Sequence, residues 1–157
     1  MSPRNLKIIE DLKKVDNLEI IESTSDIKRL SKDFYNYSPI LEERLNGCVA
    51  DLVVRPKNKN AVLKVAEICW KFSTPLTLRG AGTGNYGQAV PLFKGIVMQM
   101  NYLNKLEEFY PDTGFIKVQS GCLMGDLNKQ LEIYGRELRL LPSTWKTATI
   151  GGFIAGG

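Results

Sequence analysis

The chain contains no histidine. That absence removes Ser-His-Asp and Cys-His hydrolase chemistry from these residues, together with every His-bearing metal centre. It also removes attachment of a cofactor through imidazole. Cysteine is sparse: Cys48, Cys69 and Cys122 have neither the even count of a disulfide framework nor C-x-x-C spacing, so reduced thiols and no metal site are expected. No apolar run reaches the roughly 18 residues of a transmembrane helix. The start of the chain, with Glu10 and Asp11, lacks the basic-then-apolar profile of a signal peptide. A cytoplasmic protein, at most peripheral to a membrane and without a transmembrane segment, is the expectation. No G-x-x-x-x-G-K-[ST] is present, which excludes a P-loop NTPase. The formal charge is only +4. Much of it sits in the middle of the chain as Lys64, Lys71, Arg79 and Lys94, without interleaved aromatics, so no nucleic-acid partner is expected. Lys64, Lys71 and Lys94 read as solvated surface.

What is present fits one ordinary domain: 157 residues, of which 43% are apolar, too many for a disordered chain. Residues 17–22 read as a short strand, and Ser25 as the N-cap of a helix over 26–34. Residues 35–47 read as irregular, with Pro39 as a breaker. The β-rich run 48–54 is a buried strand closed by Arg55-Pro56. From Asn60 the period changes: Val62, Val65, Ala66 and Cys69 fall at i, i+3, i+4 and i+7, which predicts an amphipathic helix over 60–72. Cys69 and its neighbour Trp70 are expected in the core. Leu76-Thr77-Leu78 forms the next strand, so residues 48–79 make a βαβ unit with parallel strands. Residues 95–100 and 115–119 are further strands. Leu123, Leu127, Leu131 and Tyr134 mark a helix that Gly135 ends. Residues 139–157 are apolar and glycine-rich without clear period.

The chemistry concentrates in Arg79-Gly80-Ala81-Gly82-Thr83-Gly84-Asn85-Tyr86-Gly87, directly after a strand. Glycines there let backbone N–H groups converge on an anion, where a side chain would block the approach. The same glycines also suit a tight turn with no ligand. Gly82, Gly84 and Gly87 match G-x-G-x-x-G, the dinucleotide fingerprint, but that motif needs a helix to begin inside it. Pro91 and the strand from Gly95 leave no room for one. No acidic residue ends a second strand at the required distance either, which excludes a nicotinamide-type Rossmann site.

Arg55-Pro56, the helix from residue 60, Pro75-Leu76-Thr77-Leu78-Arg79-Gly80-Ala81-Gly82-Thr83, Gly95-Ile96-Val97-Met98, Leu141-Pro142-Ser143 and Thr149-Ile150-Gly151-Gly152 occur in the order and spacing of a known family. From about residue 47 to 157 the chain resembles the FAD-binding domain of the vanillyl-alcohol-oxidase or PCMH type. Within that family it is most similar to the D-lactate dehydrogenase and glycolate oxidase branch. The resemblance implies an α+β fold, a small βαβ subdomain followed by an incomplete mixed-sheet subdomain. Residues 1–46 are then an N-terminal helical and irregular extension, and residues 47–157 the FAD-binding domain. By the same resemblance the chain is an N-terminal piece of a larger protein, with the substrate carboxylate clamp and the catalytic base elsewhere. No catalytic residue is assigned here. Tyr35, Tyr37 and Tyr86 are better read as packing groups than as acids or bases.

In that family the loop matching Gly80, Ala81, Gly82, Thr83, Gly84, Asn85 and Gly87 wraps the FAD pyrophosphate. The segment matching Pro142, Ser143, Thr149, Gly151 and Gly152 runs along the cofactor toward the isoalloxazine ring. Thr83 and Ser143 can donate hydroxyls, and Arg79 can either offset phosphate charge or hold the loop through an ion pair. Relatives that tether flavin through histidine carry it in this loop, where the chain has Thr83, so FAD is expected to be noncovalent. Cys122 replaces an apolar residue and is expected to be buried. Gly84-Asn85-Tyr86 is bulkier than the family's small-residue pattern. The implied reaction is oxidation of a small 2-hydroxy acid, lactate or glycolate in kind, by hydride transfer to flavin, with the electron acceptor unassigned. The alternatives are another flavoenzyme of the same fold, such as a sugar or alcohol oxidase or an enolpyruvyl-sugar reductase, or a noncatalytic module without flavin.

Overall fold

The computed structural model describes residues 3–156. Met1, Ser2 and Gly157, which closes the second glycine-rich segment, lie outside the described residues. The elements run α1 (Pro3–Lys13), β1 (Leu18–Ile21), α2 (Thr24–Leu30), a 3-10 turn (Tyr35–Tyr37), α3 (Pro39–Leu45), β2 (Leu52–Pro56), α4 (Lys59–Lys71), β3 (Leu76–Arg79) and β4 (Ile96–Gln99). They continue as β5 (Leu106–Tyr110), β6 (Phe115–Val118), α5 (Met124–Glu132) and α6 (Ile150–Gly156). The fold is mixed α+β.

The first sheet has the order β1-β2-β4-β3. β1 pairs antiparallel with β2, whereas β4 pairs parallel with both β2 and β3. The sheet is apolar on both faces because both are covered, as parallel strands require. Leu52 and Val54 point to one side with Ile96 and Met98, where α1 supplies Ile8 and Leu12 and α4 supplies Val65 and Cys69. Val53 and Val97 point to the other, where Ile27 and Leu30 of α2 cover them. Burying each such aliphatic side chain contributes about 1.5–3 kcal/mol. A second, smaller core forms where α5 sets Leu127 and Leu131 against the β5-β6 hairpin, with Cys122 between them. Among the described residues no helix is long and apolar enough to cross a membrane.

The βαβ reading of residues 48–79 needs one correction. β2 and β3 are parallel, but they are not neighbours, because β4 inserts between them. The bounds also move. β2 starts at Leu52 rather than Cys48, since the Ala50 amide is taken by the Ser31 hydroxyl (3.0 Å) and Asp51 pairs with Gly95 (Asp51 N to Gly95 O 2.8 Å, Gly95 N to Asp51 Oδ2 3.0 Å). Arg55 and Pro56 are inside the strand, opposite Glu19 and Leu18. α2 is capped by Ser23, not Ser25, and ends at Leu30, where the Ser31 hydroxyl donates back to the Ile27 carbonyl at 2.7 Å. Residues 35–47 are not irregular. Pro39 opens α3 at the helical position where a missing N–H costs nothing, and Ser38 caps it.

Trp70 is corrected as well: it is 88% exposed, because one residue past Cys69 is a 100° rotation away from the buried stripe. β5 has no counterpart in the sequence reading, since a register irregularity between Leu106 and Glu108 breaks its alternation. α6 was hidden for a different reason: three of its seven residues are glycine, the poorest helix former but proline. Thr149 offsets part of that cost by accepting the Gly152 amide at 3.2 Å. Cys69 and Cys122 are buried as expected, and the three thiols are free. Lys71 and Lys64 are surface groups that pair with Asp11 and Glu67, both at 2.7 Å.

Candidate functional site

The site grows from the carboxyl end of β3. Arg79 is the last residue of the strand, and its Met100-paired carbonyl (2.9 Å) holds the chain against β4 before the glycines release it. Residues 80–95 then run without helix or strand until Lys94 and Gly95, both at positive φ, turn the chain into β4. Gly82 takes φ +71 and Gly87 φ +80, left-handed conformations that glycine adopts without steric cost.

The loop is pinned from the N-terminal segment. The Phe34 amide donates to the Gly84 carbonyl at 2.8 Å, and Arg79 Nη1 donates to the Lys32 carbonyl at 2.6 Å. Asp33, between these two, accepts the Tyr35 amide at 3.0 Å on Oδ1. Burial pulls the Arg79 guanidinium below its ordinary value, and the Asp33 carboxylate opposes that fall. Burial also pushes the Tyr35 phenol up, with the Asp33 charge as a smaller cause. Residues 32–34 carried no signal in the sequence, since their partners lie some 50 positions away and no local pattern encodes such a contact.

With the loop held in this way, the amides of Ala81, Gly82, Thr83, Gly84 and Asn85 donate to no protein acceptor among the described residues, whereas Tyr86 already bonds to Gln88 Oε1 at 3.2 Å. A run of amides that the protein itself leaves unpartnered is an anion cradle in the making. It borders a cleft of about 930 Å³, within the size range of small-molecule sites. Pro142, Ser143, Thr144 and Ala148 also line it, as do Thr149 and, near the start of α6, Gly152. Leu76, Leu78, Leu92 and Phe93 give the cleft an apolar end.

Of the residues singled out in the sequence, Gly80, Ala81, Gly82, Thr83, Gly84, Asn85, Pro142, Ser143, Thr149 and Gly152 line this cleft. Arg79, Gly87 and Gly151 do not. Arg79 lies beneath the loop, against the open side of Gly82, and forms no direct ion pair among the described residues. Gly87 abuts Leu45, and a Cβ there would reach its Cδ1 at 2.5 Å. Gly151 backs onto Ser120, whose carbonyl accepts its amide at 2.9 Å. This stitching, with Ile150 N to Cys122 O (2.9 Å) and Met124 N to Ala148 O (2.9 Å), docks the second glycine segment onto the smaller core. Gly80 closes the arrangement, because the Thr149 side chain fills the place of its missing Cβ. The unpartnered amides, glycines packed too closely against Thr149, Arg79 and Gln88 to carry side chains, and the Arg79 cation beside Gly82 fit a diphosphate, and the cleft they border fits an extended ligand joined to one.

The FAD binding domain family matches residues 50–157. D-2-hydroxyglutarate dehydrogenase of Escherichia coli (strain K12) is 34% identical over 108 residues, covering 66% of this chain and 10% of that protein. The glycolate oxidase subunit GlcD of Bacillus subtilis (strain 168) is 30% identical, over 66% of this chain and 22% of its own length. D-lactate dehydrogenase of Anaerostipes hadrus is 30% identical, over 67% and 22%. The chain thus spans about a fifth or less of the curated relatives it matches here. Among solved structures, alkyldihydroxyacetonephosphate synthase superposes with a TM-score of 0.80 at 20% identity, over 96% of this chain and 31% of that one. p-Cresol methylhydroxylase with substrate bound does so with a TM-score of 0.75 at 14% identity, over 98% and 29%. These two show the shared fold.

Proposed function

The chain belongs to the FAD binding domain family, and from that premise we propose that it is the cofactor-holding part of an oxidoreductase acting on a small 2-hydroxy acid. The observation that carries the cofactor's placement is the run Ala81 to Asn85, residues that line the cleft and whose amides have no protein acceptor among the described residues. The names of the relatives support the substrate class, since they oxidise 2-hydroxyglutarate, glycolate and lactate.

In this reading the loop amides donate to the diphosphate, and Thr83 adds a hydroxyl at the same edge. Ser143 and Thr149 also line the cleft, where hydroxyls and backbone groups orient the rest of the cofactor, and Gly152 leaves room for its close approach. Leu76, Leu78, Leu92 and Phe93, the last three exposed without a ligand, offer it apolar contact. Bound there, FAD supplies the hydride acceptor for oxidation of the substrate's carbon-bound hydrogen. This chain contributes placement and electrostatics. Noncovalent binding is supported by the lack of a histidine to carry a flavin link and by Cys122, which is buried and not part of the cleft lining. The division of the chain into an extension of residues 1–46 and a cofactor domain of residues 47–157 is a division by family likeness; the sheet itself runs across it, through the pairing of β1 with β2.

The test uses the full-length protein. It is expected to purify yellow, to release FAD on acid precipitation, and to lose its flavin absorbance anaerobically on addition of D-lactate, glycolate or D-2-hydroxyglutarate. A colourless protein whose flavin fluorescence titration shows no binding overturns the cofactor reading. A flavoprotein bleached by none of these acids overturns the substrate class alone.

A further inference from the structure

At the glycine loop two opposite charges are buried without meeting: Arg79 beneath it, and Asp33, which also lines the cleft. Arg79 is 7% exposed and Asp33 9% exposed. A guanidinium carries five N–H donors. Among the described residues this one is given the Lys32 carbonyl, and its Nε has no partner. The carboxylate spends Oδ1 on the Tyr35 amide, and its Oδ2 is likewise without a partner. Both groups flank the same short stretch of backbone. The guanidinium fills the side of Gly82 where a Cβ would stand, and Oδ2 lies 3.7 Å from the corresponding point on Gly84. The stretch between them is the one whose amides donate to no protein acceptor among the described residues.

A buried charge is tolerated only where something balances it. Without a ligand, Asp33 is the anion that does so for Arg79, at a distance and with both orphan atoms sealed from water. A diphosphate seated on the amides of Gly82, Thr83 and Gly84 brings a second source of negative charge to the same guanidinium. It also comes close to the Asp33 carboxylate, which repels it.

We propose that Asp33 is a positioning residue, the resident counter-ion of Arg79, and that a diphosphate ligand on the glycine loop takes over that role when it binds. The inference rests on the reading of this loop as the FAD diphosphate cradle. It makes Asp33 act in opposite directions on the two states: it stabilises the empty loop and weakens the ligand's hold on the filled one. A carboxylate that merely packed the segment would stabilise both alike.

The experiment is made on the full-length protein, prepared with and without FAD, in wild-type form and as Asp33→Asn. Thermal melts read the two states, and fluorescence titrations with FAD and with riboflavin, which has no phosphate, read the ligand. Flavin-free Asp33→Asn is expected to melt at least about 3 °C below wild type, while the FAD-saturated proteins melt within about 1 °C of each other. The ratio of FAD to riboflavin affinity is expected to rise on the order of tenfold. Equal losses in both melts, or an unchanged ratio, overturn the proposal. If Asp33→Asn does not fold, the double variant Asp33→Asn with Arg79→Met decides: recovery of the fold supports charge compensation, and continued misfolding overturns it. A wild-type protein that FAD fails to stabilise brings down the cradle reading itself, which is a separate outcome from a wild type that binds FAD beside an Asp33→Asn that does not differ from it.

Discussion

The hydroxyl of Thr149 stands in the space that a Cβ on Gly80 would need, so the two glycine-rich segments, nearly 70 residues apart, close on each other through this contact. Gly80→Ala forces the two apart and is expected to cost about 1–3 kcal/mol, as overpacking does. Thr149→Ala alone removes the acceptor of the Gly152 amide and is expected to cost about 0.5–2 kcal/mol. In the double variant the severe clash with the hydroxyl is relieved, and the Thr149 Cβ at 3.3 Å from the new methyl leaves only a tight contact that a shift of a few tenths of an ångström absorbs. Urea unfolding of all four proteins is expected to show the pair less damaging than the sum of its parts; strict additivity would mean that the contact is absent.

Gly82→Val acts on the loop itself. The position has φ +71 and Arg79 against its open side, so a branched side chain meets both backbone strain and the guanidinium. FAD affinity is expected to fall by at least about tenfold, read by flavin titration, with far-UV circular dichroism unchanged. Unchanged affinity would place the diphosphate elsewhere.

Leu127 and Trp70 make a contrast in what large side chains are worth. Leu127 is fully buried in the smaller core, and Leu127→Ala is expected to cost about 2–5 kcal/mol. Trp70→Ala is expected to change stability by less than about 0.5 kcal/mol, because the ring stands in solvent. Thermal unfolding of the two variants checks both expectations.

The thiols give a pH-dependent readout. Burial pushes Cys69 up from 9.0 to about 11, and burial, with the Asp126 charge adding to it, pushes Cys122 up as well. Iodoacetamide at pH 8 is expected to modify the half-exposed Cys48 and to spare the other two, by peptide mass spectrometry. Between pH 9 and 11 the folded protein retains the Cys69 proton that the unfolded chain has lost. Stability therefore falls as pH rises through that window, and a Cys69→Ala variant is expected to lose less stability there than wild type.

The segment before Gly47 supports the glycine loop as well as the sheet. Beginning the chain at Gly47 removes β1 from the side of β2, and takes away the Lys32 carbonyl and the Phe34 amide that hold Arg79 and Gly84. Such a truncation of the full-length protein is expected to lose flavin and to aggregate through the uncovered β2 edge. Size-exclusion chromatography with flavin absorbance detection reports both.

The parts of this molecule legible in its sequence are those with a local signature. The stripe Val62, Val65 and Cys69 announces α4, and the glycine cluster after Leu78 announces a loop whose amides are free to bind. The parts that stayed hidden depend on partners far along the chain. Asp33 sits in an unremarkable Ser31-Lys32-Asp33-Phe34, and its meaning comes from Arg79, Gly82 and Gly84. Arg79, Gly87 and Gly151 stand in the linear motifs beside residues that line the cleft, yet the structure sets them against Lys32, Leu45 and Ser120. Trp70 shows the limit of a hydrophobic-means-buried rule at one step off a helical stripe, and β5 shows how a bulge erases the alternation that would reveal a strand.

The insertion of β4 between β2 and β3 sets an order of events on the ribosome. β2, α4 and β3 emerge first, leaving a gap one strand wide whose walls are unpaired backbone. The gap closes only when residues 96–99 arrive, after the whole glycine loop has been made. Until then a nascent chain displays Val53 to solvent with no Val97 beside it. Nonlocal closure of this kind slows folding and lengthens exposure to aggregation. A chaperone that shields apolar strands would therefore matter most in the interval between synthesis of Arg79 and of Gln99.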